Sequence, residues 1–172
     1  MLFSERMNAA INEQIGHEFG ASHQYVSIAS YFDGESLPEL ARHFYRQAEE
    51  ERDHAMRFVH YVVDAGGQVV IPAVPAPKAT FVSAEEAVQL SLDWENTVTK
   101  QIGGLVDLAL KENDHTTKTF LDWFVTEQLE EVSSMSTLLG MIRRAGKDGL
   151  LFVEAYVGRR PLTSAAAPAD PT

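Results

Sequence analysis

The sequence contains a Glu-x-x-His pair, Glu51 and His54, in the stretch AEEERDHA at residues 48–55. Two residues three positions apart on a helix project from the same face. A carboxylate and an imidazole on one face are suitable ligands for a first-row transition metal. Because such a pair also occurs on ordinary solvated helices, other residues must decide whether this one binds a metal.

Carboxylates recur at the middle of four apolar helical stripes, which run over residues 11–32, 41–62, 88–109 and 121–142. Positions repeating with gaps of three and four form the face that a helix turns toward a bundle core. Each stripe is apolar at its ends and has one glutamate near its middle: Glu18, Glu51, Glu95 and Glu131. The third stripe is predicted to consist of Val88, Leu92, Glu95, Thr99, Ile102, Val106 and Ala109.

The four glutamates are also predicted to lie at one level. Glu18 and Glu51 are equally distant along the chain from the turn that joins their helices, and so are Glu95 and Glu131. A repeat supports this arrangement, because Glu18 precedes Glu51 by 33 residues just as Glu95 precedes Gln128. Glu51 and Gln128 are each followed three residues later by another candidate ligand, His54 and Glu131. This repeat suggests an internal pseudo-twofold symmetry.

Four carboxylates at one level of a core must be neutralised. Burying each without a partner costs several kcal/mol, so four together would offset a typical domain stability of about 5–15 kcal/mol. No stripe position is basic. Partial protonation or internal water is one solution, and two divalent cations are the more economical one. Oxygen-rich ligation with one imidazole favours iron or manganese, leaves magnesium and calcium open, and disfavours structural zinc.

The elements that must position these residues are all predicted to be helices. The first runs from about residue 4 to 32, and the second is predicted to start at Ser36 as N-cap with Glu39 three residues on. The third starts at Ser83 with Glu86 in the same relation, and the fourth ends near residue 146. A short fifth helix covers about 149–158. We expect one domain over residues 1–160 and a disordered Pro/Ala-rich tail over 161–172.

The connections predict the topology. Short links make the first and last helix pairs antiparallel hairpins. The Pro-rich segment between the hairpins, residues 66–82, spans on the order of 50 Å when extended, against roughly 42 Å for a 28-residue helix. The chain is therefore predicted to be an all-α antiparallel four-helix bundle with one long crossover, plus a short fifth C-terminal helix.

Composition limits the partners and the compartment. The 172 residues include no cysteine, which excludes disulfides and thiolate chemistry and is compatible with a reducing compartment. The net charge of −11 argues against nucleic-acid binding and is compatible with metal cations, although an acidic surface also serves solubility. No signal peptide or membrane-length apolar run occurs, so we expect a cytoplasmic protein that does not bind membranes.

The chain resembles the prokaryotic non-haem ferritins, from NEQIGHEFGASHQY through EEERDHA and DWENTVTKQI to WFVTEQLEEV. The resemblance implies a ferritin-like fold in which Glu18, Glu51 and His54 hold one iron, with Glu51 bridging to a second. Glu95 and Glu131 would complete the second iron site. Gln128 would lie beside that site as a hydrogen-bonding group or weak ligand, and Tyr25 would lie by the ferroxidase centre.

A third iron site is implied nearby by Glu50, Glu127 and Glu130, with Glu131 shared. A solvated acidic face is the alternative explanation for those three residues, and Glu49 is expected to be a surface charge. Arg52 stands where a bacterioferritin would carry its haem-ligating methionine, so no haem is expected. The other histidines lack a partner at ligand spacing and are expected at the surface or in packing: His17, His23, His43, His60 and His115.

The resemblance implies an iron-storage ferroxidase active in iron homeostasis and protection against oxidative stress. It would oxidise Fe²⁺ with O₂ or H₂O₂ and store the ferric mineral in a 24-subunit shell, with the fifth helix, GLLFVEAYV, at the fourfold contacts. Two alternatives stay open. One is a smaller di-iron oxidoreductase that reduces oxygen or peroxide without storing mineral, and the other is a metal-free helical interaction protein.

Overall fold

The computed structural model describes residues 1–159, which form four long α-helices, a 3₁₀ turn and a short fifth α-helix. The elements are α1 Glu5–Gly34, α2 Pro38–Asp64, α3 Ala84–Lys111, α4 His115–Ala145, the 3₁₀ turn Lys147–Gly149 and α5 Leu150–Arg159. This order confirms the predicted all-α class and the short fifth helix. The predicted disordered tail, residues 161–172, lies outside the described residues. None of the helices from Glu5 to Arg159 is long and apolar enough to cross a membrane.

Three of the long helices start with a side-chain cap. The Ser83 hydroxyl accepts a hydrogen bond of 3.1 Å from the backbone amide of Glu86, which confirms the predicted start of α3. Ser4 caps α1 and Asp114 caps α4 in the same way. These bonds satisfy amides that a helix leaves without an internal partner.

The predicted N-cap of α2 is wrong. Ser36 adopts a left-handed backbone conformation with φ of 60°, and the helix begins at Pro38 with Leu37 in the cap position and no side-chain cap bond. Proline favours the first position of a helix, and it disfavours helical geometry in the residue before it. Pro38 therefore sets the start of α2 after Ser36.

The missing cap of α2 is supplied by α5. The carboxylate of Glu154 accepts hydrogen bonds from the backbone amides of Glu39 and Leu40, the latter at 3.0 Å. Gly158 packs against Glu39 so closely that a Cβ there would lie 2.9 Å from the Glu39 Cγ. The short fifth helix thus packs on the first turn of α2 through two hydrogen bonds to the Glu154 carboxylate and the close contact of Gly158 with Glu39.

The crossover lies along α1 and is held by side-chain amides. Asn12 donates to the carbonyl of Gln68 at 2.9 Å and accepts from the amide of Val70 at 2.7 Å. Gln24 makes the same pair of bonds with the backbone of Lys78, at 2.8 and 3.1 Å. The segment therefore advances in the same direction as α1 and brings α3 in parallel to α2, which confirms the single long crossover.

The core consists of two apolar clusters, one toward each end of the bundle. One contains Tyr25, Phe32 and Phe44, and α5 packs on it through Val153 and Val157. The other contains residues from the opposite ends of the helices, including Ile11, Phe58, Leu121 and Phe124. The level between the clusters is where the buried carboxylates lie.

The buried stripes of α1, α2 and α4 match the predicted ones, whereas the stripe of α3 differs at alternate positions. The structure buries Ser91, Val98 and Leu105 on α3. The sequence predicted burial of the next residue in each case: Leu92, Thr99 and Val106. Both sets obey the three-and-four spacing, so spacing alone did not distinguish them. The structure buries the apolar Val98 and leaves Thr99 at the edge of the bundle, where its hydroxyl remains hydrogen-bonded.

Candidate metal centre

The mid-stripe glutamates are all removed from solvent. Glu18, Glu51, Glu95 and Glu131 are each at most 3% exposed, and each comes from a different helix of the bundle. Their positions follow from the stripes, because each stripe places apolar side chains on both sides of its glutamate. The geometry therefore gathers four carboxylic acids at one level, as the equal distances from the turns indicated.

Glu18, Glu51 and His54 form the most compact part of this arrangement. They are the one group of His, Asp and Glu side chains within residues 1–159 whose ligand atoms all lie within 4.8 Å of one another. His54 Nδ1 lies 3.5 Å from Glu51 Oε2. Glu18 Oε2 and both carboxylate oxygens of Glu51 are buried without a hydrogen-bond partner. Buried oxygen atoms with free lone pairs around one imidazole are suitable ligands for a divalent cation.

Glu95 and Glu131 complete the buried level on α3 and α4. The Tyr25 hydroxyl donates a hydrogen bond to Glu95 Oε1. Gln128 Nε2 lies 3.4 Å from Glu95 Oε2, and Gln128 Oε1 accepts from the Thr99 hydroxyl at 2.9 Å. The structure therefore places Tyr25 and Gln128 against Glu95 as hydrogen-bond donors, which orient this carboxylate.

Burial and mutual repulsion raise the pKa values of these acids. Desolvation is the largest cause at all four, and the negative charges of neighbouring glutamates add to it. The pKa of Glu95 rises to about 7 and that of Glu131 to about 8, while the pKa values of Glu18 and Glu51 rise well above the ordinary 4.5. A cation that displaced the retained protons would remove both penalties.

No Lys or Arg side chain in the described part of the chain forms an ion pair with these four glutamates. His54 is the one basic group within 4 Å of any of them there. Its ring packs edge-on against Trp123 and Phe124 of α4, which fixes its position beside Glu51. A protein base therefore does not balance the four carboxylates, which leaves retained protons or a bound cation to neutralise them.

The residues implied in a third site lie beside this level, between α2 and α4. Glu50 is exposed, whereas Glu127 and Glu130 are half-buried. Burial, followed by the charges of Glu130 and Glu50, raises the pKa of Glu127. Glu49 is exposed, and so is Arg52. The carboxylates of Glu50, Glu127 and Glu130 are near enough to repel one another, but they do not form a group as compact as that of Glu18, Glu51 and His54.

Two glutamines at the site were not identified from the sequence. Gln14 donates a 2.8 Å hydrogen bond to Glu18 Oε1, and both side chains are buried. Gln47 donates to Glu50 and lies 3.5 Å from Glu131 Oε1, so it connects the two acidic groups. Gln14 precedes Glu18 by four residues and Gln47 precedes Glu51 by four. A glutamine one helical turn before a buried glutamate was the available signal.

Comparisons with known proteins agree with this architecture. The family model for the ferritin-like domain matches residues 8–145. Ferritin BfrB of Mycolicibacterium smegmatis is 46% identical over 167 residues, which cover 97% of this chain and 90% of that protein. A bacterial non-heme ferritin of Staphylococcus aureus is 37% identical over 161 residues, covering 92% of this chain and 97% of its own length.

The fold is likewise similar to a solved structure. A crystal structure described as a novel open pore ferritin, from the hyperthermophilic archaeon Archaeoglobus fulgidus, superposes with a TM-score of 0.89 at 36% identity. The match covers 92% of this chain and 98% of the archaeal chain. Both the sequence and the backbone thus match over nearly the whole length.

Proposed function

This chain belongs to the ferritin family, and we propose that it stores iron by oxidising Fe²⁺ at the buried glutamate level. The observation that carries this proposal is the group of Glu18, Glu51 and His54, with three buried carboxylate oxygens that have no partner. Iron is the substrate and cargo here. The protein supplies ligands, charge balance and a dry environment for the transfer of electrons.

Each residue has a defined role in this proposal. Glu18 and His54 bind one Fe²⁺, and Glu51, with both oxygens free, bridges to the second. Glu95 and Glu131 bind the second Fe²⁺, with Gln128 beside it. The pair supplies two electrons to O₂ or peroxide. Because their pKa values are raised, Glu95 and Glu131 still hold protons near neutral pH, and iron binding releases these protons.

Tyr25 is a positioning residue in the same scheme. Its hydroxyl donates to Glu95, and burial followed by the charge of Glu95 raises its pKa well above 10. The phenol therefore stays protonated and continues to orient the carboxylate over the physiological pH range.

Storage requires a route off the centre and a container. Glu50, Glu127 and Glu130 offer carboxylates next to Glu131 for a third iron, and Gln47 connects this group to the second site. We infer that 24 copies assemble into a shell in the cytoplasm, with α5 at the fourfold contacts. The net charge of the chain, −11, favours retention of cations.

The test combines oxidation, retention and assembly in one experiment. Purified protein receives Fe²⁺ in air, and size-exclusion chromatography with iron detection follows. We expect iron to elute with a particle of 24 subunits, and Glu51→Ala and His54→Ala to abolish rapid oxidation. Glu49→Ala and His60→Ala are matched controls, because both residues are exposed on the same helix.

The outcomes separate the three functions. A particle of one or two subunits that oxidises iron without retaining it would identify the smaller oxidoreductase. Oxidation that is absent, or unchanged in Glu51→Ala and His54→Ala, would favour a metal-free helical protein. Absence of a Soret band in the same sample tests the expectation that no haem is bound.

A further inference from the structure

A row of polar side chains on α2 faces a matching row on α4. The α2 row follows helical spacing through His43, Gln47, Glu50 and His54, and the α4 row contains Trp123, Glu127, Glu130 and Ser134. His54 packs on Trp123 with ring centroids 5.4 Å apart, and the guanidinium carbon of Arg57 lies 4.1 Å from the centre of the Trp123 ring. Gln47 Nε2 lies 3.5 Å from Glu131 Oε1, about two helical turns away from the His54–Trp123 contact. The two helices are antiparallel, so the next turn places His43 opposite Ser134.

Four polar atoms in this region have no hydrogen-bond partner within the described residues. They are His43 Nε2, Gln47 Oε1, Glu130 Oε2 and Ser134 Oγ. His43 is only 1% exposed and Gln47 only 4%. Buried polar atoms are nearly always hydrogen-bonded or bound to a ligand, because leaving them unpaired is costly. Two such pairs on neighbouring helices leave four polar atoms available to water or to a bound ion between them.

The chemistry of the four atoms is that of electron-pair donors. The Gln47 amide nitrogen already donates to Glu50, which leaves its carbonyl oxygen as the free group. Burial, followed by the charge of Arg46, lowers the pKa of His43 to about 4, so that its imidazole is neutral at physiological pH. A neutral imidazole, an amide oxygen, a hydroxyl and one carboxylate suit a first-row divalent cation.

We propose that His43, Gln47, Glu130 and Ser134 form a further binding site for a first-row divalent cation, one helical turn beyond the third-site carboxylates along the α2–α4 interface. The inference rests on the proposed function for the identity of the cation, Fe²⁺, which would share Glu130 with the third site. The sequence predicted His43 to lie in packing or at the surface, because Glu130 and Ser134 come from α4 and only Gln47 comes from its own helix.

The test uses the full-length protein crystallised and soaked anaerobically with Co²⁺, a redox-stable substitute with anomalous scattering. We expect an anomalous peak about 2.1 Å from His43 Nε2, the usual distance for a metal–imidazole bond. The peak should disappear in His43→Leu, while a peak at Glu18, Glu51 and His54 remains. His60→Leu, an exposed histidine on the same helix, should retain both peaks.

A solution measurement supports the crystallographic one and covers the case in which His43→Leu does not fold. Equilibrium dialysis should count one Co²⁺ fewer per subunit in His43→Leu than in the parent protein. Ser134→Ala, which removes a single atom, should weaken the same Co²⁺ about tenfold. An unchanged count and affinity in Ser134→Ala would contradict the proposal.

Failure of this site and failure of the proposed function give different results. Co²⁺ bound at Glu18, Glu51 and His54, with only water or no density at His43, overturns the further site and leaves the proposed function standing. A peak at His43 that persists in His43→Leu also overturns it. No Co²⁺ at Glu18, Glu51 and His54 overturns the proposed function instead.

Discussion

Gln14 donates a hydrogen bond of 2.8 Å to Glu18, one turn further along α1, and both side chains are buried. The bond occupies Glu18 Oε1, while Glu18 Oε2 has no hydrogen-bond partner among the described residues. Gln14 thus holds one oxygen of Glu18 and leaves the other available to a bound cation. Such supporting hydrogen bonds typically change metal affinity by 10–100-fold.

We therefore expect Gln14→Leu to weaken the first bound Co²⁺ by about 10–100-fold in an anaerobic calorimetric titration. Leucine fills a similar volume but leaves Glu18 Oε1 unsatisfied. Gln24→Leu is the matched control, because Gln24 is equally buried on the same helix but bonds only the crossover at Lys78. Equal losses of affinity in the two variants would show that Gln14 acts through stability and not through Glu18.

The raised pKa values predict how the metal-free protein responds to pH. Glu95 and Glu131 have pKa values of about 7 and about 8 when folded, against an ordinary 4.5. Above pH 4.5 the unfolded chain releases protons that the folded chain still holds, so the free energy of unfolding decreases as pH rises to about 8. Thermal unfolding in a chelator should give a lower Tm at pH 8 than at pH 5.5. Glu95→Gln should reduce that difference, and a Tm that rises over this range in the parent protein would refute the prediction.

Cation binding should reverse this trend. The cation replaces the protons that the buried carboxyl groups retain. It therefore stabilises the folded protein most at the pH at which the metal-free protein is least stable, near pH 8. The increase in Tm on adding Co²⁺ should be larger at pH 8 than at pH 6. Calorimetry at pH 6.5 in buffers of different ionisation enthalpy should detect proton release on binding. Binding without proton release would contradict the raised pKa values of Glu95 and Glu131.

Docking of α5 offers a separate test of the fold. Glu154 caps α2 by accepting from the amides of Glu39 and Leu40, and loss of a helix cap typically costs about 0.5–2 kcal/mol. In Glu154→Ala, hydrogen exchange should accelerate at the first turn of α2 and throughout α5. Glu154→Gln keeps the shape but loses the charge, so its effect should be smaller. Glu13→Ala, at an exposed position on α1, should change neither segment.

Most of the fold follows from local rules that the sequence displays. The three-and-four stripes identify four helices, Ser83 identifies the start of α3, and the Pro-rich segment is long enough for a crossover that spans the bundle. The cap of α2 could not be predicted, because Glu154 lies 115 residues from Glu39 along the chain. The buried stripe of α3 was ambiguous, because two sets of positions share its periodicity.

The same division applies to the candidate centre. Glutamates in apolar stripes are conspicuous, so the level of Glu18, Glu51, Glu95 and Glu131 was predictable. Gln47 and His43 were not, because their significance depends on which face of α2 meets α4 and at what register. Periodicity gives the face that is buried, whereas the register between two helices is set by the packing of residues distant in sequence, such as His54 on Trp123.

The two serines predicted as caps provide the last test, because their sequence contexts are alike and their structures differ. Ser83 caps α3 through Glu86, whereas Ser36 is left-handed and α2 has no side-chain cap from its own N-terminal segment. Ser83→Ala should lower the free energy of unfolding by about 1 kcal/mol, and Ser36→Ala should leave it nearly unchanged. Ser36→Gly should raise it by up to about 1 kcal/mol, because glycine relieves the strain of a positive φ. Chemical denaturation of the three variants measures these differences. Equal destabilisation by the two alanine substitutions would restore Ser36 as the cap of α2.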